Sequence, residues 1–266
     1  MIQPKEINKH AAINKVSDRQ IEKDYILTWT LNGIANHSIL SKAIVFKGGT
    51  VLKKCYIENY RFSEDLDFTL LDETYTHDQL KEMLSEVFDW VKEESNITLE
   101  HKIDDTHKTS GSSLFYINYI GPLGGNIGSR DIKIDITRGE KMEYPVEERK
   151  VLINYTDLPE ASFILQCYSL SEVLIEKMAA LMGRTEPRDL YDFWYLLEIE
   201  RIKFKEHDIE FISKAKHKGH NPEEFAVKVL KKEAGFKRDW EAKLSNQIHD
   251  LPKFDDVMRE TRRYLK

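Results

Sequence analysis

Three aspartates lie in segments where polar and apolar residues alternate. Asp65 and Asp67 are separated by one leucine, and Asp135 follows Lys133 in the run IKIDI. Because residues i and i+2 of a β-strand project to the same side, Asp65 and Asp67 are predicted to share one face of a sheet. Adjacent carboxylates repel unless a cation lies between them, and Mg²⁺ is the hard ion expected with oxygen ligands. Asp135 on a neighbouring strand would complete a two-metal site for displacement at phosphorus.

A glycine-rich turn precedes these aspartates along the chain. Gly48, Gly49 and Thr50 follow a short apolar run at residues 43–46 and precede a segment of helical character. Glycines let backbone N–H groups approach a phosphate, and the start of a helix favours negative charge. The sequence therefore predicts a phosphate-binding turn between a strand and a helix. Together with the aspartates, this order of motifs favours a metal-dependent site over an ordinary turn and an ordinary polar strand face.

A second group of charged residues lies in the C-terminal part of the chain. Lys177 and Arg184, seven residues apart, are predicted to fall on one stripe of a helix, where they could grip a triphosphate. Asp189 could orient one of these two cations. The alternative is that Lys177 forms only a surface ion pair with a glutamate.

The aspartates also fit a second type of site. The sequence DLDFT at residues 65–69 matches the DxDxT signature of haloacid-dehalogenase-type phosphatases, in which the first aspartate, here Asp65, is the nucleophile. Such a motif should follow a continuous apolar strand, since the nucleophile lies at the carboxyl edge of a buried parallel sheet. Residues 59–64 are too polar for such a strand, and this hypothesis leaves the glycine turn without a role. It ranks second.

The composition predicts a globular protein. Of 266 residues, 32% are charged and 41% hydrophobic, which excludes intrinsic disorder and collagen-like repeats. Two distant cysteines, Cys55 and Cys167, exclude a disulfide framework and a zinc finger and fit a reducing compartment. The first ten residues contain no apolar core of a secretory signal, and no run approaches the ~18 apolar residues of a membrane helix. We therefore expect a soluble, cytoplasmic protein with no membrane partner.

The charge is unevenly distributed along the chain. Residues 201–266 carry 17 Lys and Arg against 12 Asp and Glu, whereas the whole chain has a formal net charge of −6. This basic segment is a candidate for contact with a polyanion such as RNA. The alternative, which charge alone favours, is that its lysines form ordinary solvated helix faces.

Hydrophobic periodicity predicts an α+β N-terminal domain, residues 1–165, followed by a helical domain, residues 166–266. Ser17 is predicted to cap a helix that ends at Gly33 or Asn36. The other predicted elements are a helix over residues 78–92, strands over residues 97–103, 114–120 and 131–137, and helices capped by Ser171 and Asn221.

Six short motifs follow one another along the chain. They are EKDY at 22–25, FKGGT at 46–50, RFSEDLD at 61–67, KID at 133–135, EK at 176–177 and RDLYD at 188–192. In type and order they resemble the AbiEii/AbiGii toxin family, the nucleotidyltransferase-like toxins of abortive-infection, type IV toxin–antitoxin systems. The resemblance spans residues 20–200. It implies a polymerase-β-like nucleotidyltransferase fold, a mixed sheet flanked by helices, followed by a helical domain that completes the active site and could contact RNA.

The resemblance also implies roles for individual residues. Asp65, Asp67 and Asp135 would bind Mg²⁺, and Asp135 would help to deprotonate the attacking hydroxyl. Lys177 would neutralise charge on the leaving pyrophosphate, and Asp189 would orient Lys177 or act as an auxiliary base. The residues implied in nucleotide binding are Gly48, Gly49, Thr50, Arg61, Ser63 and Arg184.

The activity implied is transfer of a nucleoside monophosphate from an NTP to an RNA hydroxyl. The expected acceptor is the 3′ end of a tRNA, so that the reaction would block translation, and a cognate antitoxin is the expected protein partner. Two alternatives remain open at this point. One is a phosphohydrolase that uses Asp65, and the other is a nucleotidyltransferase scaffold that only binds RNA or a partner protein.

Overall fold

A mixed β-sheet is the framework of the N-terminal part in the computed structural model, which describes residues 1–102, 108–109, 111–158 and 163–266. Its strands are β1 (Ile44–Lys47), β2 (Asp65–Leu70), β3 (Thr98–His101), β4 (Lys108–Thr109), β5 (Ser112–Ile120), β6 (Asp131–Thr137), β7 (Glu147–Lys150) and β8 (Ile164–Cys167). Seven of the described strands follow the order β3-β5-β6-β2-β1-β8-β7, and β4 pairs with β5. The predicted α+β fold with a mixed sheet is confirmed.

The register of three adjacent strands aligns polar residues on one face of this sheet. Strand β2 pairs in parallel with β6, which places Asp67 opposite Asp135, and β1 pairs antiparallel with β2, which places Lys47 opposite Asp67. Leu66 and Ile134, the intervening residues, are fully buried on the other face. The alternation of polar and apolar residues in the sequence therefore corresponds to one polar face and one buried face of the sheet.

The strand predictions hold where side chains alternate. Strands β5 and β6 confirm the predictions over 114–120 and 131–137, and β3 corresponds to the predicted strand over 97–103, whose residue 103 lies outside the described residues. Strand β7 was not predicted from the sequence, because its residues, EERK, include no apolar residue and so show no alternation. It forms through backbone pairing with β8.

Helices alternate with the first strands of the sheet. They are α1 (Pro4–Asn14), α2 (Asp18–Asn36), α3 (Leu40–Ala43), α4 (Gly48–Val51), which continues as a π-helical turn over Leu52–Tyr56, and α5 (His77–Ser95). Helix α2 begins as predicted, since the Ser17 hydroxyl accepts a hydrogen bond from the Gln20 N–H at 3.1 Å. The predicted helix over residues 78–92 is confirmed as α5.

Two buried carboxylates on α2 attach this helix to distant parts of the chain. The Lys54 ammonium, in the turn that follows α4, donates to Asp24 Oδ2 at 2.8 Å. Glu22, fully buried, accepts from the Leu123 N–H at 2.8 Å with one oxygen and from Arg130 with the other. The motif EKDY therefore contacts the helical turn after the glycines on one side and the 121–130 loop on the other.

The chain divides into two compact units, which we call unit 1 and unit 2. Unit 1 comprises Met1–Glu140 and Val146–Cys167, and unit 2 comprises Lys141–Pro145 and Tyr168–Lys266. The helices of unit 2 are α6 (Leu170–Gly183), α7 (Pro187–Glu198), α8 (Asp208–His217), α9 (Phe225–Lys231), α10 (Glu233–Leu244) and α11 (Phe254–Thr261). None of the helices in the described ranges is long and apolar enough to cross a membrane.

Of the two N-cap residues predicted for unit 2, Asn221 is confirmed and Ser171 is not. Asn221 caps the short helical turn before α9 by accepting from the Glu223 N–H at 3.3 Å. The prediction that Ser171 caps α6 is wrong, because Ser169 takes that position and accepts from the Glu172 N–H at 3.1 Å. Ser169 has the extended backbone of an N-cap residue, whereas Ser171 already lies inside the helix.

A buried ion pair holds the segment Lys141–Pro145 within unit 2. Glu172 Oε1 accepts from Lys214 Nζ at 2.8 Å, and both side chains are almost fully buried. The second oxygen, Oε2, accepts from the backbone N–H groups of Glu143 and Tyr144, both at 2.8 Å. Lys214 Nζ also donates to the Lys141 carbonyl oxygen at 2.8 Å. One carboxylate thus satisfies three donors in the interior.

We expect Glu172→Ala to lower the free energy of unfolding of unit 2 by about 3–5 kcal/mol, because it leaves the Lys214 ammonium buried without its carboxylate. Urea denaturation followed by circular dichroism measures the change. Lys228→Ala is the matched control, because it removes a partly exposed pair with Glu224 and should cost less than about 1 kcal/mol. Equal effects of the two substitutions would contradict the role given to Glu172.

Candidate active site

Three carboxylates share the polar face of β2 and β6. Asp65 and Asp67 lie two residues apart on β2, and the parallel register places Asp67 beside Asp135 and Asp65 beside Lys133 on β6. All four side chains are partly exposed. The structure therefore brings together the three aspartates that the sequence singled out, at one place on unit 1.

The crowding of these carboxylates changes the acidity of Asp67. Burial raises the pKa of Asp67 to about 6, and the neighbouring charges of Asp65 and Asp135 contribute to the increase. Lys133 and Lys47 oppose it but do not cancel it. A cation placed among these oxygens would favour the ionised carboxylate, since its positive charge opposes both the burial and the repulsion that raise the pKa.

A residue that sequence reasoning missed orients Asp135. The Ser112 hydroxyl on β5 donates a hydrogen bond to Asp135 Oδ1, while Lys133 Nζ lies 4.0 Å from Oδ2. Strand β5 is the antiparallel neighbour of β6, so this contact depends on the pairing of two strands rather than on any local motif. The only signal in the sequence is that Ser112 is a polar residue of an alternating strand.

Close approach of the glycine turn to Asp67 requires glycine at position 48. Gly48 has φ +81°, and a Cβ atom at this position would lie 3.1 Å from the Asp67 Cβ and even closer to Oδ2. A side chain would be strained by both the backbone conformation and the contact. The preceding residue, Lys47, forms an ion pair at 3.3 Å with Glu140, and both side chains are largely buried. The turn therefore packs directly on the carboxylate face.

Thr50 and Ser63 join the turn to the beginning of β2. The Thr50 hydroxyl donates to the Asp65 carbonyl oxygen at 2.6 Å, and its oxygen lies 2.7 Å from the Ser63 hydroxyl oxygen. Both residues are buried. The hydroxyl expected to contact a phosphate is thus engaged with the backbone of Asp65, where it fixes the position of that aspartate.

Arg61 precedes β2 and is also buried. Its Nη1 donates to the Phe62 carbonyl oxygen at 3.3 Å, and its guanidinium lies over the Tyr60 ring, 5.8 Å from the centroid. These contacts place Arg61 in the segment that leads into Asp65. Its expected role in nucleotide binding stays a prediction.

The second predicted cluster lies in unit 2. Lys177 Nζ contacts Asp189 Oδ1 at 2.9 Å and Asp192 Oδ2 at 2.8 Å, and all three side chains are largely buried. Arg184, mostly exposed, reaches Asp189 Oδ2 with Nε at 2.7 Å. Burial alone would raise the pKa of Asp189, but Lys177 and Arg184 hold it below the ordinary value. Asp189 therefore binds both cations at once.

The helical stripe predicted for this cluster is wrong in one respect. Arg184 has an extended backbone and caps α6 at its C-terminus, so it does not continue the helix that carries Lys177. The two cations meet because Asp189, in the first turn of α7, lies between them. Asp192, one helical turn further on, completes the cluster and was not given a role from the sequence.

The carboxylates of unit 1 fit a hard divalent ion in the type of their donor atoms. Asp65, Asp67 and Asp135 supply only oxygens, which suits Mg²⁺, and burial together with repulsion from Asp65 and Asp135 raises the pKa of Asp67. Within the described part of the chain, no three His, Cys, Asp or Glu side chains already converge on a metal position. The Asp135 carboxylate accepts a hydrogen bond from Ser112 through Oδ1, and its other oxygen, Oδ2, takes no part in that bond.

The geometry around Asp65 does not suit a phosphatase of the DxDxT type. Asp65 is the first residue of β2, so the strand follows the aspartate instead of leading to it. Strand β2 is also antiparallel to β1. The carboxyl edge of a buried parallel sheet, which that chemistry uses, is absent at this position of the described structure.

Comparisons with known proteins agree with this geometry. A family model described as "Nucleotidyl transferase AbiEii toxin, Type IV TA system" matches residues 29–260. The match includes most of the C-terminal region, to which the short motifs contributed little. A search of curated proteins returns no match.

Solved structures show the same fold at low sequence identity. The nucleotidyltransferase toxin MenT4 from Mycobacterium tuberculosis is 16% identical with a TM-score of 0.63, and the alignment covers 100% of this chain and 89% of that one. JHP933 from Helicobacter pylori is 17% identical with a TM-score of 0.60, and the alignment covers 94% of this chain and 91% of that one.

We expect Asp67→Asn to stabilise the metal-free protein above pH 6 by about 2 kcal/mol. The pKa of Asp67 is about 6 in the folded state against 3.8 ordinarily, so the folded protein binds the proton more tightly. The free energy of unfolding of the wild type therefore falls as the pH rises from about 4 through 6, because Asp67 loses this proton. Thermal unfolding in a chelator between pH 4 and 8 measures the difference.

Asp131→Asn is the matched control, because Asp131 lies on the neighbouring strand β6 and pairs with the exposed Lys102 at 3.3 Å. Its effect should be small at every pH. A stability difference for Asp67→Asn that does not change with pH would contradict the proposed crowding.

Proposed function

The chain belongs to the AbiEii nucleotidyl transferase toxin family, and on this premise we propose that it transfers a nucleoside monophosphate from an NTP to an RNA acceptor in the cytoplasm. Family membership makes the protein a nucleotidyltransferase and the toxin of a type IV toxin–antitoxin system, with an NTP as substrate and a cognate antitoxin. The finer proposal concerns the metal and the acceptor. The observation that carries it is the register that sets Asp67 beside Asp135, with Asp65 on the same face.

In this proposal Asp65, Asp67 and Asp135 hold Mg²⁺. When bound, the ion supplies charge stabilisation for the triphosphate and for the attacking oxygen. Other residues of the chain position these three carboxylates. The Thr50 hydroxyl holds Asp65 by donating to the Asp65 carbonyl oxygen, and the Ser112 hydroxyl orients the Asp135 carboxylate. Together they hold the carboxylates before the substrate arrives, which lowers the cost of organising the site.

The turn before β2 would bind the phosphates of the NTP. Gly48 and Gly49 begin α4, where their backbone N–H groups would bind phosphate oxygens, and Arg61 and Ser63 lie in the segment that leads to Asp65. A bond forms between the acceptor hydroxyl oxygen and the α-phosphorus, while the bond from that phosphorus to the β-phosphate oxygen breaks. Asp135 would help to remove the proton of the attacking hydroxyl, and pyrophosphate leaves.

The cluster in unit 2 would act on the leaving group. We assign to Lys177 the neutralisation of charge on pyrophosphate and to Arg184 a contact with the nucleotide. Asp189 is then the residue that orients both cations, since it contacts each of them. An auxiliary role of Asp189 as a base is disfavoured, because two cations already stabilise its carboxylate and lower its pKa.

The first test of this function is a labelling assay. Purified protein is incubated with Mg²⁺, total tRNA and each α-labelled NTP separately. We expect label on tRNA with the wild type, and loss of about 10²-fold or more with Asp65→Asn, Asp67→Asn or Asp135→Asn, because each removes a ligand or a base. Replacing Mg²⁺ with a chelator should have the same effect.

Asp131→Asn is again the matched control and should keep wild-type labelling, because Asp131 is the first residue of β6, four residues before Asp135, and pairs with Lys102. Release of inorganic phosphate from simple phosphomonoesters without any label on RNA would favour a phosphohydrolase. Labelling that survives the three aspartate substitutions would contradict the site itself.

Residues 201–266 are the proposed region of RNA contact. Several of its lysines have acidic partners, as Lys228 has Glu224 and Lys237 has Asp255. Lys232 Nζ donates to the carbonyl oxygens of Leu181 and Met182 at the end of α6, both at 2.9 Å, so its charge stabilises that helix terminus. Lys231 is exposed and has no side-chain partner among the described residues, so it is available to a phosphate.

We expect Lys231→Glu to weaken RNA binding and to reduce the slope of log affinity against log salt by about 1, since one phosphate contact is lost. Filter binding at several salt concentrations measures the slope. Lys42→Glu, at an exposed lysine of unit 1, is the matched control. Lys232→Glu should instead lower the stability of unit 2. An unchanged slope for Lys231→Glu would remove this lysine from the RNA contact.

A further inference from the structure

Unit 1 contains a second polar cavity that shares no residue with the carboxylate site. Its volume is about 260 Å³, and its lining comes from α1, α2, the turn after α4 and residues 58–62 and 154–155. Most of the lining side chains are polar, and they include two carboxylates, Asp24 and Glu58, beside His10, Asn14, Lys53, Asn59 and Asn154. None of these residues has a role in the function proposed above.

The cavity contains a buried ammonium group without a carboxylate partner. Lys53 is only 6% exposed, and its Nζ donates to the Tyr60 carbonyl oxygen at 3.2 Å and lies 4.0 Å from the centroid of the Phe62 ring. Within the described residues, no carboxylate oxygen lies within 4.0 Å of this nitrogen. Glu58 also lines the cavity but is exposed at its rim. A lysine ammonium has three donors, so Lys53 has hydrogen atoms left for a ligand.

The neighbouring aspartate, Asp24, compensates this charge only in part. Asp24 accepts from Lys54 Nζ at 2.8 Å and from the Tyr155 hydroxyl at 2.7 Å, which occupies it with other partners. The interior therefore holds two ammonium groups, those of Lys53 and Lys54, against one carboxylate. Burial lowers the pKa of Lys53, with a further contribution from Lys54 against the attraction of Asp24. An uncompensated buried charge is unfavourable, and an apolar side chain would fill the same space at lower cost.

We propose that this cavity binds a small oxyanion of the phosphate class, with the Lys53 ammonium as its counter-charge. The amide groups of Asn59 and Asn154, both exposed at the cavity, supply further donors suited to oxyanion oxygens. A bound anion balances the positive charge that remains after Asp24 has paired with Lys54. It also stabilises the segment of Tyr60 and Phe62, which Lys53 contacts. This segment leads into β2.

The test uses the full chain with inorganic phosphate as the probe, without Mg²⁺, NTP or RNA. Thermal unfolding and isothermal titration calorimetry are run in phosphate and in sodium chloride of equal ionic strength. We expect saturable binding of phosphate and an increase in Tm of about 3 °C or more at saturating concentration. Absence of binding by the wild type would overturn the proposal and would mean that Lys53 is accommodated as a neutral amine.

Two substitutions locate the binding site. Lys53→Met removes the charge at similar length, so phosphate binding should disappear, while the Tm without phosphate should be unchanged or higher. Asn154→Asp is isosteric at an exposed position, and its negative charge should weaken phosphate binding about tenfold or more. If Lys53→Met does not fold, Asn154→Asp alone decides the outcome.

Lys42→Met is the matched control, because Lys42 is an exposed lysine of unit 1 outside the cavity, and it should bind phosphate as the wild type does. Equal phosphate binding by the wild type, Lys53→Met and Asn154→Asp would place the anion elsewhere and overturn the proposal. Because the measurement needs no nucleotide transfer, its failure and the failure of the proposed enzymatic function are distinguishable.

Discussion

Repulsion between carboxylates on one sheet face is the constraint around which unit 1 is arranged. The parallel pairing of β2 with β6 sets Asp67 beside Asp135, and the strand period sets Asp65 on the same face. A shift of register by one residue would turn these side chains into the core. Lysines on both flanking strands, Lys47 and Lys133, reduce the repulsion without removing it. What remains is a face of crowded carboxylates, which is the property that the proposed Mg²⁺-dependent transfer needs.

The contacts that hold this face in place are mainly buried and polar. Asp24 binds Lys54 in the turn after the glycines, and Glu22 binds the 121–130 loop. In unit 2 the Glu172–Lys214 pair plays the same part for a different segment. Buried ion pairs add little net stability compared with apolar packing, but loss of one partner is costly. They therefore favour one arrangement of the chain over others, which suits a site that depends on ångström-scale positions.

The sequence predicted which residues of the site share a sheet face better than it predicted their contacts. Alternation around Asp65, Asp67 and Asp135 was sufficient to place them on one face, because strand geometry is local. The helix cap at Ser17 followed from local hydrogen bonding in the same way. The stripe containing Lys177 and Arg184 failed because the helix ends before Arg184, and the choice of Ser171 as a cap was wrong by two residues. Helix ends depend on the packing of the next segment as well as on the capping residue.

By itself, the sequence determined which residue types lie on which face of each strand and helix, and its motifs identified the family. Only the tertiary structure decided the partners: Ser112 for Asp135, the Asp65 carbonyl oxygen for Thr50, and Asp189 for both Lys177 and Arg184. It also left Lys53 buried without a carboxylate while Lys54, the next residue, obtained one. The physical reason is that periodicity is a property of a few consecutive residues. The neighbour of a side chain across a sheet or between helices depends instead on how distant segments pair, and no local pattern specifies that pairing.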